Sequence, residues 1–375
     1  MLRHADTRAR PVTRATPGPA VAGAEPGVQL ELLDTLESLR EPWAGLAEQG
    51  QNIFATWEFA ATWWEHFGSG RRLLAAGCRD PGGELFAILP LYQWRRRPLR
   101  VIRFVGHGAG DMLGPVCRPA RCEDAARALR RLIEAAPWGW DVFVGENLPG
   151  DQRWPDRLGG KLVRREGNPI LRESGGFDQF LAGRTPNFRR QVRRREQRLA
   201  CSHRVRYRLS DRTTLDADLR HLFRLHAARF GARSAFAEGP RAAFHRAFAH
   251  RALERGWLRL WLLELDDRPR AALYGFRFGG VESFYQSGRD PNLEHESPGM
   301  ALLTHAIRSA MDDQIREVNF LRGHEPYKYR FATDDPGLDS VCVTRGPAAA
   351  AALALIQAAR ASRAARTVLH RPFEM

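Results

Sequence analysis

Two hydrophobic rhythms take turns along this chain. In some stretches apolar residues alternate with polar ones, and in others they recur every third or fourth position. Val28–Leu32 alternates and predicts a strand, while residues 35–47 carry helical spacing. Thr56 is placed to cap a helix over Trp57–Phe67, with Phe59, Trp63 and Phe67 on one face. Leu73–Cys78 and Leu85–Trp94 flank Asp80-Pro-Gly-Gly83, a hairpin signal. A strand over Val101–Val105, a helix over Ala125–Ala135 and a strand over Trp140–Val144 complete the first half.

The second half opens on a helix over Asn187–Leu199, with Phe188, Val192 and Leu199 as its apolar stripe and six arginines on the rest. A strand at Val205–Leu209 then leads into helices over Leu215–Phe230 and Pro240–Arg255. Three successive strands follow at Trp257–Leu265, Ala271–Phe278 and Val281–Ser287. After them come a helix from Ser297, a strand at Glu317–Leu321, a tyrosine-rich segment and a strand at Ser340–Thr344. The order predicts an α/β chain of the mixed-sheet, α+β kind. We expect a leader over 1–27, a first module over 28–175, a second, catalytic module over 176–345, and a basic helical tail over 346–375.

Composition sharpens this in three places. The formal charge is +15, and residues 187–208 hold nine arginines against one glutamate, a belt that attracts phosphate-bearing partners. The 187–199 helix is expected to be a solvated connector that lends its field to a nearby cleft. Five scattered cysteines without a C-x-x-C pair argue against zinc and disulfides and for a reducing compartment. Residues 1–27 lack the apolar core of a secretion signal, and no stretch approaches the roughly 20 apolar residues of a membrane span, so a cytoplasmic location is expected. The Ala-rich run 348–359 predicts a helix lying on the protein, with peripheral membrane contact as the lesser alternative.

Candidate chemistry gathers in Leu321–Phe331. That segment holds Arg322, His324, Glu325, Tyr327, Tyr329 and Lys328, one of only two lysines among 58 basic side chains. Titratable groups just past a strand are where α/β enzymes commonly work. Ser297-Pro-Gly299 predicts a serine-capped helix start, whose N–H groups suit a phosphate. The three acids of Asp290–Glu296 would repel one. Gly106–Asp111 follows a strand but has the wrong spacing and no following helix for a dinucleotide fingerprint. It is expected to be a plain turn, with a loop carrying His107 and Asp111 over a cleft as the alternative.

Trp57-Glu-Phe with Trp63-Trp64, Asn187-Phe-Arg-Arg190, Tyr285-Gln-Ser-Gly288, Ser297-Pro-Gly299 and Arg322–Arg330 together resemble the GNAT acyltransferase superfamily, over roughly residues 30–345. The nearest likeness is to its cellulose- or exopolysaccharide-biosynthesis subgroup, related to Fem aminoacyl ligases. The resemblance implies two tandem GNAT-like modules and acyl transfer from acetyl-CoA or another acyl-CoA, without a metal. Tyr285, Gln286 and Ser287 would pair with the donor, and Ser297, Gly299 and Met300 would meet its pyrophosphate. Glu325 would be the base and Tyr327 or Tyr329 the acid, so Glu325→Gln should abolish transfer without altering the melting temperature. Arg322, Lys328, Arg190 and Asp111 would hold substrate, and the acceptor would be a saccharide or amino sugar of envelope or exopolysaccharide metabolism. Two alternatives are an aminoacyl-tRNA-dependent Fem-like ligase, the one case calling for nucleic acid, and a non-catalytic assembly subunit.

Overall fold

The computed structural model describes residues 28–355 except 97, 173, 174, 232, 233, 237 and 238. The expected leader at 1–27 and the end of the tail, from 356, lie outside the described residues. The strands in chain order are β1 (Gln29–Leu33), β2 (Arg72–Arg79), β3 (Leu85–Arg96), β4 (Leu99–Phe104), β5 (Val116–Cys117), β6 (Val142–Pro149), β7 (Lys161–Glu166), β8 (Ile170–Leu171), β9 (Val205–Leu209), β10 (Leu258–Leu265), β11 (Arg268–Phe278), β12 (Val281–Arg289), β13 (Glu317–Asn319) and β14 (Leu338–Thr344). Ten α-helices are named here: α1 (Arg40–Gly50), α2 (Trp57–Phe67), α3 (Cys122–Glu134), α4 (Trp154–Leu158), α5 (Phe177–Ala182), α6 (Pro186–Ser202), α7 (Leu215–Phe230), α8 (Pro240–Glu254), α9 (Pro298–Asp312) and α10 (Pro326–Tyr329). A further helix runs over 346–355. Its Ala352 and Leu353 pack on Leu99, Val101, Val142 and Cys342.

Two mixed sheets make two modules. The first runs β1-β2-β3-β4-β6-β14-β7, with β5 beside β3, and the second runs β8-β13-β12-β11-β10-β9. Each contains one parallel pair, β4 with β6 and β12 with β13. The modules exchange strands. β14, expected as the last strand of the second module, lies between β6 and β7 of the first, and β8 leaves the first half to pair with β13. Burial holds β14 there: Leu338, Val341 and Cys342 are buried, and Val341 joins the core beneath α3.

One aromatic core joins the modules. Phe59 on α2 meets Phe244 and Phe248 on α8 edge to face at 5.4 and 5.0 Å. Such pairs add about 1 kcal/mol each beyond their area. The Trp57–Trp64 motif is thus inter-module adhesive: Trp63 is buried, and Glu58 and Glu65 pair with Arg255 and Arg251 of the second module. Thr56 caps α2 as expected, accepting from the Phe59 N–H at 3.3 Å. Four of the five cysteines are buried, and all five are free. Among the described residues no helix is long and apolar enough to cross a membrane.

Candidate active site

β12 and β13 pair only over Val281–Ser283 and Glu317–Asn319. Past Asn319 the chain turns away, because the Phe320 N–H donates to the Pro169 carbonyl at 3.0 Å instead of returning to β12. The β12 backbone from Phe284 to Arg289 is left without a strand on that side. A bulge at Tyr285 adds to the splay, since Tyr274 faces Gln286 while Gly275 faces Phe284. Gly288 lets α7 close over the same strand. A Cβ there would lie 2.6 Å from the His226 backbone nitrogen.

The gap opens into a cavity of about 790 Å³ between β12, α7, α9, the Gly106–Asp111 loop and the tyrosine-rich segment. Tyr285, Gln286, Ser287, Ser297, Gly299, Met300, Arg322, Glu325, Tyr327, Lys328 and Asp111 all line it. Two expected residues do not. Tyr329 is turned outward, where its hydroxyl donates to Asp335 at 2.7 Å and meets His324 Nδ1 at 3.1 Å. His324 Nε2 accepts from the Gly167 N–H at 2.8 Å, so Nδ1 carries the hydrogen and the Tyr329 hydroxyl is fully engaged. Arg190 is exposed on α6. The cavity arginine of that helix is Arg195, which falls between Val192 and Leu199 on the inward stripe.

Lys328 is buried, and its ammonium spends its three donors locally. They reach Glu325 at 2.9 Å and the carbonyls of Arg322 and Leu321 at 2.8 and 3.3 Å. An anion contact, as expected from the sequence, has no donor left there. Instead the lysine pins a strained turn: Leu321 has φ +54°, a conformation disfavoured for a branched side chain, and its N–H is held by Asn319 Oδ1 at 2.8 Å. Burial raises the Glu325 carboxyl, but the bond and charge of Lys328, with smaller pulls that include Arg229, together outweigh it and leave the group below the usual carboxylate range. Glu325 is therefore a poor proton acceptor.

Asp111 is the opposite case. Burial pushes its carboxyl up to about 6, against the pull of Arg322, whose Nε stands 3.5 Å away. The loop that carries it is a turn, as expected, but one lying over the cleft. The Tyr285 hydroxyl donates to the Ala109 carbonyl at 2.6 Å, and Asn147 Nδ2 to the Gly110 carbonyl at 3.1 Å. His107 points elsewhere, toward Arg103 and Glu146. Burial raises the Tyr327 hydroxyl to about 12, so the phenol keeps its proton at neutral pH.

Arg195, Arg229 and Arg289 line the cavity as well. Neither Arg195 nor Arg229 has a carboxylate partner among the described residues. The three acids expected to repel phosphate each have a partner: Asp290 pairs with Arg270 at 2.6 Å, Glu294 with Arg289 at 2.8 Å, and Glu296 meets His203 Nε2 at 2.8 Å. Ser297 is not a side-chain cap. It takes φ +53° and donates to the Glu294 carbonyl at 3.2 Å, while Met300 and Ala301 bond back to its own carbonyl. Pro298 has no N–H, so the Gly299 N–H is the donor left at this helix start.

His226 and Glu166 also line the cavity and were not anticipated. His226 is held below its ordinary range by burial and bonds Ser234 and Gln286 at 2.8 and 3.1 Å. Its signal was a histidine at an inward position of α7; for Arg195 it was an arginine filling the gap in an apolar stripe.

A splayed parallel pair thus leaves an open strand edge running to a helix start. Residues 186–329 match the acetyltransferase (GNAT) domain family. Three solved structures share the fold over both modules. FemX is 10% identical with a TM-score of 0.60, the match covering 84% of this chain and 97% of FemX. The C-terminal domain of a protein assigned as a lysylphosphatidylglycerol synthetase from Agrobacterium fabrum is 12% identical with a TM-score of 0.55, over 87% and 96%. L-PGS from Bacillus licheniformis is 11% identical with a TM-score of 0.50, over 83% and 91%. No curated protein matches the chain in sequence.

Proposed function

We propose that the chain transfers an acetyl or other acyl group from acyl-CoA to an amine or hydroxyl of a saccharide or amino sugar in envelope or exopolysaccharide biosynthesis, in the cytoplasm. The observation that carries this reading is the free edge of β12, which runs along the cavity whose lining also includes the start of α9. The residues present fit the donor. Backbone groups of Tyr285, Gln286 and Ser287 would take its amides, and the Gly299 N–H with Arg195 and Arg229 would take its phosphates. The donor supplies an acyl group on a thioester. Tyr327, protonated at neutral pH, gives the departing sulfur its proton.

One observation favours the aminoacyl-tRNA reading. Arg190, Arg193 and Arg194 are exposed on α6 and have no acidic partner among the described residues. Thermal shift separates the readings, because only a ligand of the folded state raises the melting temperature. Acetyl-CoA is expected to stabilise the protein and bulk tRNA to leave it unchanged. Stabilisation by tRNA alone would transfer the assignment to the ligase reading, and by neither to an assembly role.

A further inference from the structure

A hydrogen-bond chain runs through His226 to the cavity wall. His226 is 3% exposed on α7, with the Phe230 and Phe236 rings at 4.4 and 4.9 Å. Burial holds its imidazole below the ordinary range, so the ring is neutral. A neutral imidazole donates from one nitrogen and accepts at the other, and its partners decide which. Ser234, in the connection from α7 to α8, is equally buried, and its hydroxyl stands 2.8 Å from Nδ1. That hydroxyl accepts the Phe236 N–H at 3.2 Å, and among the described residues Nδ1 is the one acceptor in its reach. It therefore donates to Nδ1, which leaves the hydrogen on Nε2. Nε2 in turn donates to Gln286 Oε1 at 3.1 Å.

The Gln286 amide is thus turned with its oxygen on the histidine and its NH2 away from it. Gln286 lines the cavity, and its Nε2 has no protein partner among the described residues. The donor, as read above, lies along the β12 backbone in the plane of the sheet. Gln286 leaves that plane toward α7, so the ligand group in its reach belongs to the acceptor. We propose that Gln286 is a specificity-determining residue whose NH2 donates to a hydroxyl or carbonyl oxygen of the acceptor, and that Ser234 and His226 are positioning residues that keep it a donor. This rests on the acyl-transfer reading and adds to it what the acceptor must carry. An unheld amide can turn either its oxygen or its NH2 to a ligand, and the chain removes that choice. An acceptor lacking the oxygen is rejected because the amide is then left unpaired.

The test uses the full-length protein. Nitrogen-15 NMR of histidine-labelled wild type should show His226 as the Nε2–H tautomer at neutral pH. Ser234→Ala should mix the two tautomers, and Ser234→Thr, which keeps the hydroxyl, should restore the first. Thiol release from acetyl-CoA is then followed with glucosamine as acceptor. Gln286→Glu is isosteric but offers an oxygen where the amide donated. It should raise KM for glucosamine about tenfold, the span of one hydrogen bond, and leave KM for acetyl-CoA within about twofold. Ser234→Ala should move the glucosamine KM the same way, and Ser234→Thr should not. An Nδ1–H or doubly protonated His226 in the wild type overturns the relay. An unchanged glucosamine KM in Gln286→Glu, or an equal rise in both KM values, overturns the specificity role. A wild type that releases no thiol with glucosamine sinks the reading of the function and the acceptor's part of this proposal with it, while the tautomer still decides the relay.

Discussion

The Tyr285 hydroxyl, on the second module, donates to the Ala109 carbonyl, on the first, at 2.6 Å. This bond crosses the module boundary and, with those from Asn147 and Trp63, holds the loop that carries Asp111 over the cavity. Tyr285→Phe leaves a buried carbonyl without its donor, so it should cost about 1–2 kcal/mol of stability. It should also lower turnover about tenfold through a misplaced loop. Urea melts and steady-state kinetics on the same preparation check both.

Lys328 should behave as a structural residue. Lys328→Met strands two carbonyls and Glu325 at a turn already strained at Leu321, and should destabilise by about 3 kcal/mol. Glu325→Gln should cost less, about 1 kcal/mol, because Glu325 is half-exposed. The unchanged melting temperature expected from sequence is thereby replaced by a measurable drop. A lysine that mattered only to substrate would leave the urea midpoint where it was.

The arginine helix gives a position-specific contrast. Arg195→Ala should raise KM for acetyl-CoA about tenfold, near 1.4 kcal/mol, with kcat little changed. Arg190→Ala, two residues round from Phe188 and facing solvent, should not. Equal effects from both would indicate a diffuse field in place of a contact.

Asp111 also makes a stability signature. Its folded carboxyl titrates near 6, above the ordinary 3.8, so the folded protein binds the proton more tightly than the unfolded chain. Stability from this group is fully present below about 3.8 and is lost as pH rises toward about 6. Asp111→Asn should therefore gain on the wild type between pH 4 and 7, by at most about 3 kcal/mol. Melts at both pH values read the difference directly, and a constant offset would contradict it.

Much of this was legible in the sequence. Periodicity located α2, α7 and the β10–β12 meander to within a few residues, because those elements bury one clean face. It missed β7, whose Leu162 and Val163 are exposed on a sheet edge and make no alternating pattern. The placement of β14 was illegible for another reason: Leu338–Thr344 reads as a strand whichever sheet receives it. Within the site, residues that act through the backbone, such as Gly299, could be read from turn chemistry. Asp111 could not be ranked above Glu325, because the difference lies in burial and in what Lys328 touches, and both are set by distant segments.

The exchanged strands carry a consequence for how the protein is made. β14 sits inside the first sheet, between β6 and β7, yet it lies some 170 residues further along the chain than β7. As the chain leaves the ribosome, the first module must wait with β6 and β7 unjoined until nearly the whole polypeptide has emerged. Synthesis order and assembly order therefore differ, and the nascent first half would expose two unsatisfied strand flanks during that interval. Residues 28–175 expressed alone should accumulate in the insoluble fraction. Supplying residues 176–355 in the same cell should return them to solution.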